Sequence, residues 1–353
     1  TLDDVHADDF LIFFETAENS GVFVNTDDDD DSNLEINSAA VRGTTATIDY
    51  NDDPQSIVVA NDFGVIDMDE TSIGSEWNSG ETLTVTLIDQ DLNKNTLDDE
   101  DLLVSGLDNR TATLVPSLKV GSPVMVKANS TAAATNGNDG QQVSGAGTVS
   151  SFSNIGTLTA DIPDGASTVT VQTGYTYSDI DAIDSTFNYF NADFTSFGTV
   201  TSALLKCENN ETLATTTAAK EMVLLTMNTA CSADDVMTVH VATTASGVIQ
   251  GATFVADVFS FGDRTNNAIY RLQLEETDNN TATFAGEVEY IMLNQLNVDN
   301  SSTFLGLSTI SDEITIIVHE DLTDEDAPRI NYFDLGADGV NTQIADQVEA
   351  PSH

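Results

Sequence analysis

Thr82, Thr84 and Thr86 alternate with Leu83, Val85 and Leu87. In an extended chain successive side chains point to opposite faces, so this pattern makes one apolar face and one hydroxyl-bearing face. A helix cannot sort them this way, because its apolar stripe recurs every three to four residues. The same period of two runs through residues 46–50, 168–177, 236–242, 268–275, 281–293 and 313–319. Thr and Val at these positions suit a pleated, half-buried surface. Helical spacing is scarce, with weak candidates only at residues 178–194 and 218–227. The expected class is all-β, with polar turns joining strands into immunoglobulin-like β-sandwich domains.

Charge limits the partners. The 353 residues hold 59 Asp and Glu against 10 Lys and Arg, a formal net charge of −49. Phosphate recognition needs clustered Lys and Arg, so nucleic acid is excluded as a partner. The 40% hydrophobic content is enough for a core, so this is not a disordered acidic tail. Carboxylate self-repulsion opposes compaction, and folding is expected to depend on divalent cations or high ionic strength. No apolar run approaches the ~20 residues that span a bilayer, so no membrane span is expected in this segment.

An internal repeat organises the chain. Glu15, Thr16, Asn19, Ser20 and Phe23 match Glu276, Thr277, Asn280, Thr281 and Phe284 at one constant offset of 261. Each copy follows an alternating strand and precedes another strand, an acidic cluster and then Pro54 or Pro328. The pattern predicts a strand, an Asn-bearing turn, a strand and a domain exit where Pro blocks further pairing. Residues 1–54 then read as the C-terminal part of one sandwich and 55–327 as a sandwich with an inserted subdomain at about 128–227. Residues 328–353 read as a linker and the start of a following domain. On this reading the chain is a window from a longer tandem array.

The motif that most invites a cation is Asp89-Gln-Asp91-Leu-Asn93-Lys-Asn95, closed by Glu100. Its oxygen donors have the spacing of an EF-hand loop, in which alternate side chains converge on one hard ion. Lys94 stands where that loop needs Gly, and a strand precedes it, so the expectation is a calcium loop of a β-domain. Asp67 and Asp69 after one strand, and Asp321, Asp324 and Asp326 at the domain exit, are weaker sites of the same kind; Asp179, Asp181 and Asp184 form another cluster. Each competes with the plainer reading of a solvated acidic turn.

Cys207 and Cys231 fit neither a zinc pattern nor a CxxC motif. A disulfide closing a loop of about 25 residues, contributing roughly 3 kcal/mol, is the preferred reading over two separately buried thiols. Sequons at Asn109, Asn129, Asn210, Asn279 and Asn300 suit the same extracellular compartment. No nucleophile elbow, HExxH, phosphate loop or dinucleotide fingerprint is present, and the expectation is that the chain is not an enzyme.

Three of these features together carry a resemblance: the Glu-Thr-x-x-Asn-Ser/Thr-x-x-Phe hairpin, the strand running into Asp89–Asn95, and the Thr-Ala-Thr-Ile-Asp49-Tyr50-Asn51-Asp52 strand exit. They resemble the tandem immunoglobulin-like repeats of archaeal surface-layer (S-layer) proteins, closest to those of marine ammonia-oxidising archaea of the Nitrosopumilus kind. The resemblance covers most of residues 8–104 and 262–353 and leaves the middle of the chain out. It implies a secreted structural protein of the cell wall, self-assembled into a two-dimensional lattice on the cell surface. It also implies an acidic coat that binds divalent ions and concentrates cations such as ammonium near the cell. The alternative carried beside it is a calcium-dependent adhesin or extracellular filament subunit.

Overall fold

A computed structural model describes residues 11–25, 45–58, 61–74, 76–93, 98–104, 115–121, 123–126, 133–136, 142–144, 155–162, 168–182, 187–208, 211–227, 229–244, 247–261, 266–296, 302–318, 328–336 and 341–348. The described chain is predominantly β and forms two stacked sandwiches that share a sheet. The outer sheet runs Val65–Asp69, Thr82–Ile88, Thr283–Met292, Leu274–Glu276, Asp101–Leu102, with Glu313–Val318 parallel to Thr283–Met292. The shared sheet runs Lys220–Leu224, Phe187–Asp193, Gly247–Phe261, Asn266–Leu272, Ser117–Val120, Arg329–Leu335, Asn341–Gln347. A third sheet orders Gln142–Ser144, Ala133–Asn136, Thr168–Thr176, Val236–Thr243, Val200–Lys206 and Thr212–Thr216.

The alternation read from the sequence builds both cores. Leu83, Val85, Leu87, Phe284 and Val288 of the outer sheet meet Leu118, Tyr270, Leu272, Ile330 and Tyr332 of the shared sheet. Each fully buried Leu or Phe contributes about 1.5–3 kcal/mol. Trp77 sets its indole edge-on to Tyr290 at 4.9 Å, and the Tyr290 hydroxyl donates to the Trp77 carbonyl at 2.7 Å. The second core packs Val169, Val171, Ala203, Leu205, Val239 and Val241 against Phe190, Ala192, Phe254, Ala256 and Val258.

The strand Gly247–Phe261 serves both cores. Phe254, Ala256 and Val258 face the second core, while Val255 and Phe259 face the first. Asp257 lies on the first-core face of that strand, where Arg271 Nη2 donates to it at 2.9 Å. Both side chains are buried, so this ion pair is shielded from salt and costly to break from one side. Lys220 Nζ adds a second tie, donating to the Ile310 carbonyl at 3.2 Å.

Three expectations are corrected. Residues 218–227 are not helical: Lys220–Leu224 is a strand beside Phe187–Asp193. The helix expected in residues 178–194 is one short turn, Tyr177–Asp181, before that same strand. Residues 328–348 do not open a separate module among the described residues. Arg329–Leu335 hydrogen-bonds to Ser117–Val120, and Ile330, Tyr332 and Val348 join the first core. Their apolar side chains gain more free energy buried in that core than exposed on a linker.

The repeat is structural as well as sequential. In the first copy Glu15 pairs with Phe23, and in the second Glu276 pairs with Phe284. Thr16 N donates to Val22 O at 2.9 Å, and Thr277 N to Thr283 O at 2.8 Å. The Glu carboxylate closes each turn, Glu15 Oε1 accepting from Gly21 N and Glu276 Oε1 from Thr281 N, both at 2.8 Å. Asn19 and Asn280 hold the same left-handed backbone, φ 61° and 60°.

Candidate metal centre

Asp89 extends the core-facing series Leu83, Val85, Leu87 by one step, so its carboxylate points inward at the end of its strand and is only 2% exposed. Asp334 does the same on the facing sheet, after Ile330 and Tyr332, and is 3% exposed. Two strands that face each other across a core therefore bring two acids together at one rim of the sandwich. Asp91 joins them through a tight turn in which its N–H donates to Asp89 Oδ1 at 2.9 Å. One carboxylate oxygen from each of Asp89, Asp91 and Asp334 lies within 4.8 Å of the others.

The surroundings hold this geometry. The Tyr332 hydroxyl donates to Asp89 Oδ2 at 2.6 Å, and Gly64 N donates to Asp334 Oδ2 at 2.7 Å. Asp62 N donates to Asp91 Oδ2 at 3.2 Å. Gly64 packs closely on the site: a Cβ there would sit 3.2 Å from both Asp89 Oδ2 and the Tyr332 ring, a tight contact that those side chains would have to ease by a few tenths of an ångström. Burial, then the neighbouring Asp89, and further Asp334 and Asp62, push the half-exposed Asp91 carboxyl up to about 6, against the pull of the Asp62 N–H. Burial and Asp89 likewise push the Tyr332 phenol far above its ordinary value, so it stays a donor.

Three convergent carboxylate oxygens are the donor set of a hard cation, Ca²⁺ or Mg²⁺, which takes oxygen ligands at 2.0–2.6 Å. They also suit proton sharing, since like charges this close resist joint ionisation.

The loop expected from the sequence is divided. Asp89 and Asp91 belong to the rim, but Asn93 turns away and its Nδ2 donates to Asn280 Oδ1 at 2.9 Å. Glu100 pairs by backbone with Glu276, whose N–H donates to the Glu100 carbonyl at 3.0 Å. Neither Asn93 nor Glu100 joins the carboxylate triad, because the turn of the second hairpin captures both. Asn95 lies outside the described residues, as do Asp321, Asp324 and Asp326. Asp67 and Asp69 form no cluster of their own: Asp67 is on the exposed face of its strand, and Asp69 Oδ1 caps a 3-10 turn by accepting from Thr71 N at 2.9 Å. Asp179 caps the short helix by accepting from Thr176 N at 2.7 Å. Asp334 and Tyr332 escaped the sequence reading. Their signal was the series Ile330, Tyr332, Asp334, an acid at the next core-facing position of an alternating strand, as in Leu83 to Asp89.

Elsewhere, Cys207 and Cys231 form a disulfide with their Cα atoms 6.1 Å apart, buried in the second core. Of the sequon asparagines, Asn279 is exposed on the second hairpin's turn; Asn109, Asn129, Asn210 and Asn300 lie outside the described residues. His240 sits in the sheet between two hydroxyls, Thr170 Oγ1 and Thr238 Oγ1, each 3.0 Å from a ring nitrogen. No protein-family model matches this chain, and a search of curated proteins finds no similar sequence.

Proposed function

We propose that this chain is a structural segment of a cell-surface layer, built of immunoglobulin-like sandwiches whose acidic rims are cross-linked by divalent cations, calcium first among them. The observation that carries the reading is the Asp89–Asp91–Asp334 triad, which joins a strand end of one sheet to a strand end of the facing sheet. An ion there would close the first sandwich at the point where its last hairpin, 329–347, docks. At millimolar calcium and a Kd of ~10⁻⁴ M such a site adds roughly 1–3 kcal/mol.

Other features support the same setting. A disulfide suits an oxidising, extracellular compartment. Among the described residues no helix is long and apolar enough to cross a membrane. A charge of −49 concentrates small cations within a Debye length of the surface, the physical basis for a coat that gathers ions such as ammonium. The role is architectural and not enzymatic, and the partner is the same protein in a planar array. Negative-stain microscopy of purified protein tests this: calcium-dependent ordered sheets support it, while monodisperse particles or calcium-independent fibres reject the lattice.

A further inference from the structure

The two copies of the hairpin share their turn but not their neighbours. In the second copy Phe284 pairs with Leu87 of the strand Thr82–Ile88, and Leu274 pairs with Leu102. Phe284 and Leu274 are consequently 0% and 1% exposed. In the first copy the equivalent positions are Phe23 and Phe13, which are 57% and 46% exposed. Ile12, Phe14 and Val22 are also exposed beside them. Among the described residues the strands Phe14–Glu15 and Phe23–Val24 pair only with each other.

We infer that the first hairpin is a docking edge for one kind of partner: an extended strand alternating Thr with Leu or Val, supplied by a further sandwich module of this type. The second copy shows what fits. There the edge N–H and C=O groups are met by Thr82–Ile88, and the aromatic ring is covered by Leu87. The matching turn geometry in the first copy, with left-handed backbone at Asn19 and Gly21 as at Asn280 and Ala282, presents the corresponding strand edge. Strand addition of this kind draws affinity from main-chain bonds and specificity from every second side chain. Transferring the observed register puts Val22 opposite the Ile88 position, Phe23 opposite Leu87 and Val24 opposite Thr86. The inference stands on the repeat alone and is independent of any bound cation.

The test uses the full chain and a fluorescent synthetic peptide of residues 80–90. Anisotropy should show saturable binding that Phe23→Asp weakens at least tenfold, with the urea midpoint of the chain unchanged because Phe23 is exposed. Under oxidising conditions a Phe23→Cys chain should trap a Leu87→Cys peptide in preference to a Thr86→Cys peptide. No saturable binding, equal binding to Phe23→Asp, or equal trapping of both peptides would overturn the inference. Each of those results leaves calcium-dependent array formation untouched, so the two readings fail separately.

Discussion

Hairpins 14–24 and 275–285 have nearly the same sequence signature and the same turn, yet one is exposed and the other is sealed in a core. Local chemistry therefore decides the turn: a Glu carboxylate gathers turn N–H groups, and an Asn takes the left-handed position. Burial is decided elsewhere, by whether a strand such as Thr82–Ile88 is available to lie alongside. The equivalent position after the Asn-Ser/Thr step is Gly21 in the first copy and Ala282 in the second, at φ 68° and 54°. The second copy carries an alanine in a conformation that favours glycine, and the surrounding core holds it there.

The largest difference between the copies should appear on removing the aromatic ring. Phe284→Ala is expected to cost about 3–5 kcal/mol in urea unfolding, as for other buried Phe truncations. Phe23→Ala should stay within about 0.5 kcal/mol, the range of an ordinary surface change. Comparable losses at the two sites would mean that the first hairpin is buried in solution.

The strand that leads into the second hairpin is anchored by Arg271. Arg271→Ala leaves Asp257 buried without its cation and should cost about 3–5 kcal/mol. Replacing the pair together, as Arg271→Met with Asp257→Leu, should recover much of that loss. A double variant as unstable as the single one would show that the ion pair is not what limits this junction.

The turn carboxylates give a smaller contrast. Glu276→Gln weakens the bonds to the Thr281 and Ala282 N–H groups and is expected to cost about 1–3 kcal/mol, with Glu15→Gln costing a few tenths. Burial alone would raise the Glu276 carboxyl, but the Ala282 N–H, the contacts with Glu100 and the Thr281 N–H outweigh it and hold the group below its usual value. Its stabilisation is therefore full above the unfolded carboxylate range near pH 4.5 and fades as pH falls through the lower folded value. Acid titration of the wild type against Glu276→Gln should show the two curves converging on the acid side. Parallel curves would remove the carboxylate from the account.

Asp91 has the opposite sign. Its folded value is raised to about 6, so in chelator it favours the fold below pH 4 and loses that contribution as pH rises through 6. Asp91→Asn should flatten this slope slightly, and its half-exposed position keeps the effect small.

Much of the architecture was legible in the alternation, because strands with one wet face carry a period of two. Thr82–Ile88, Val236–Thr243 and Thr283–Met292 are of that kind. Gly247–Phe261 and Phe187–Asp193 were not seen, and the reason is physical. They lie in the shared sheet with both faces covered, so Phe254 to Ser260 are all buried and no polar beat remains. The disulfide followed from the cysteine count. At the acidic rim only part of the ligand set could be read: Asp89 and Asp91 are neighbours in sequence, whereas Asp334 arrives on the strand of Tyr332, which lies 243 residues beyond the Asp89 to which it donates. EF-hand spacing drew in Asn93 and Glu100, which the hairpin turn claims instead.

The central claim is that a divalent ion at the rim closes the sandwich. Thermal melts of the full chain in ~10 mM calcium and in chelator test it directly, with Asp334→Asn as the variant and Asp67→Asn as the control. At about a hundred times a Kd of ~10⁻⁴ M, the ion should add about 2.7 kcal/mol, a rise of roughly 5 °C or more. The account predicts that the wild type and Asp67→Asn show this rise and that Asp334→Asn loses it. Identical melts in calcium and chelator, or a full calcium response in Asp334→Asn, would contradict it.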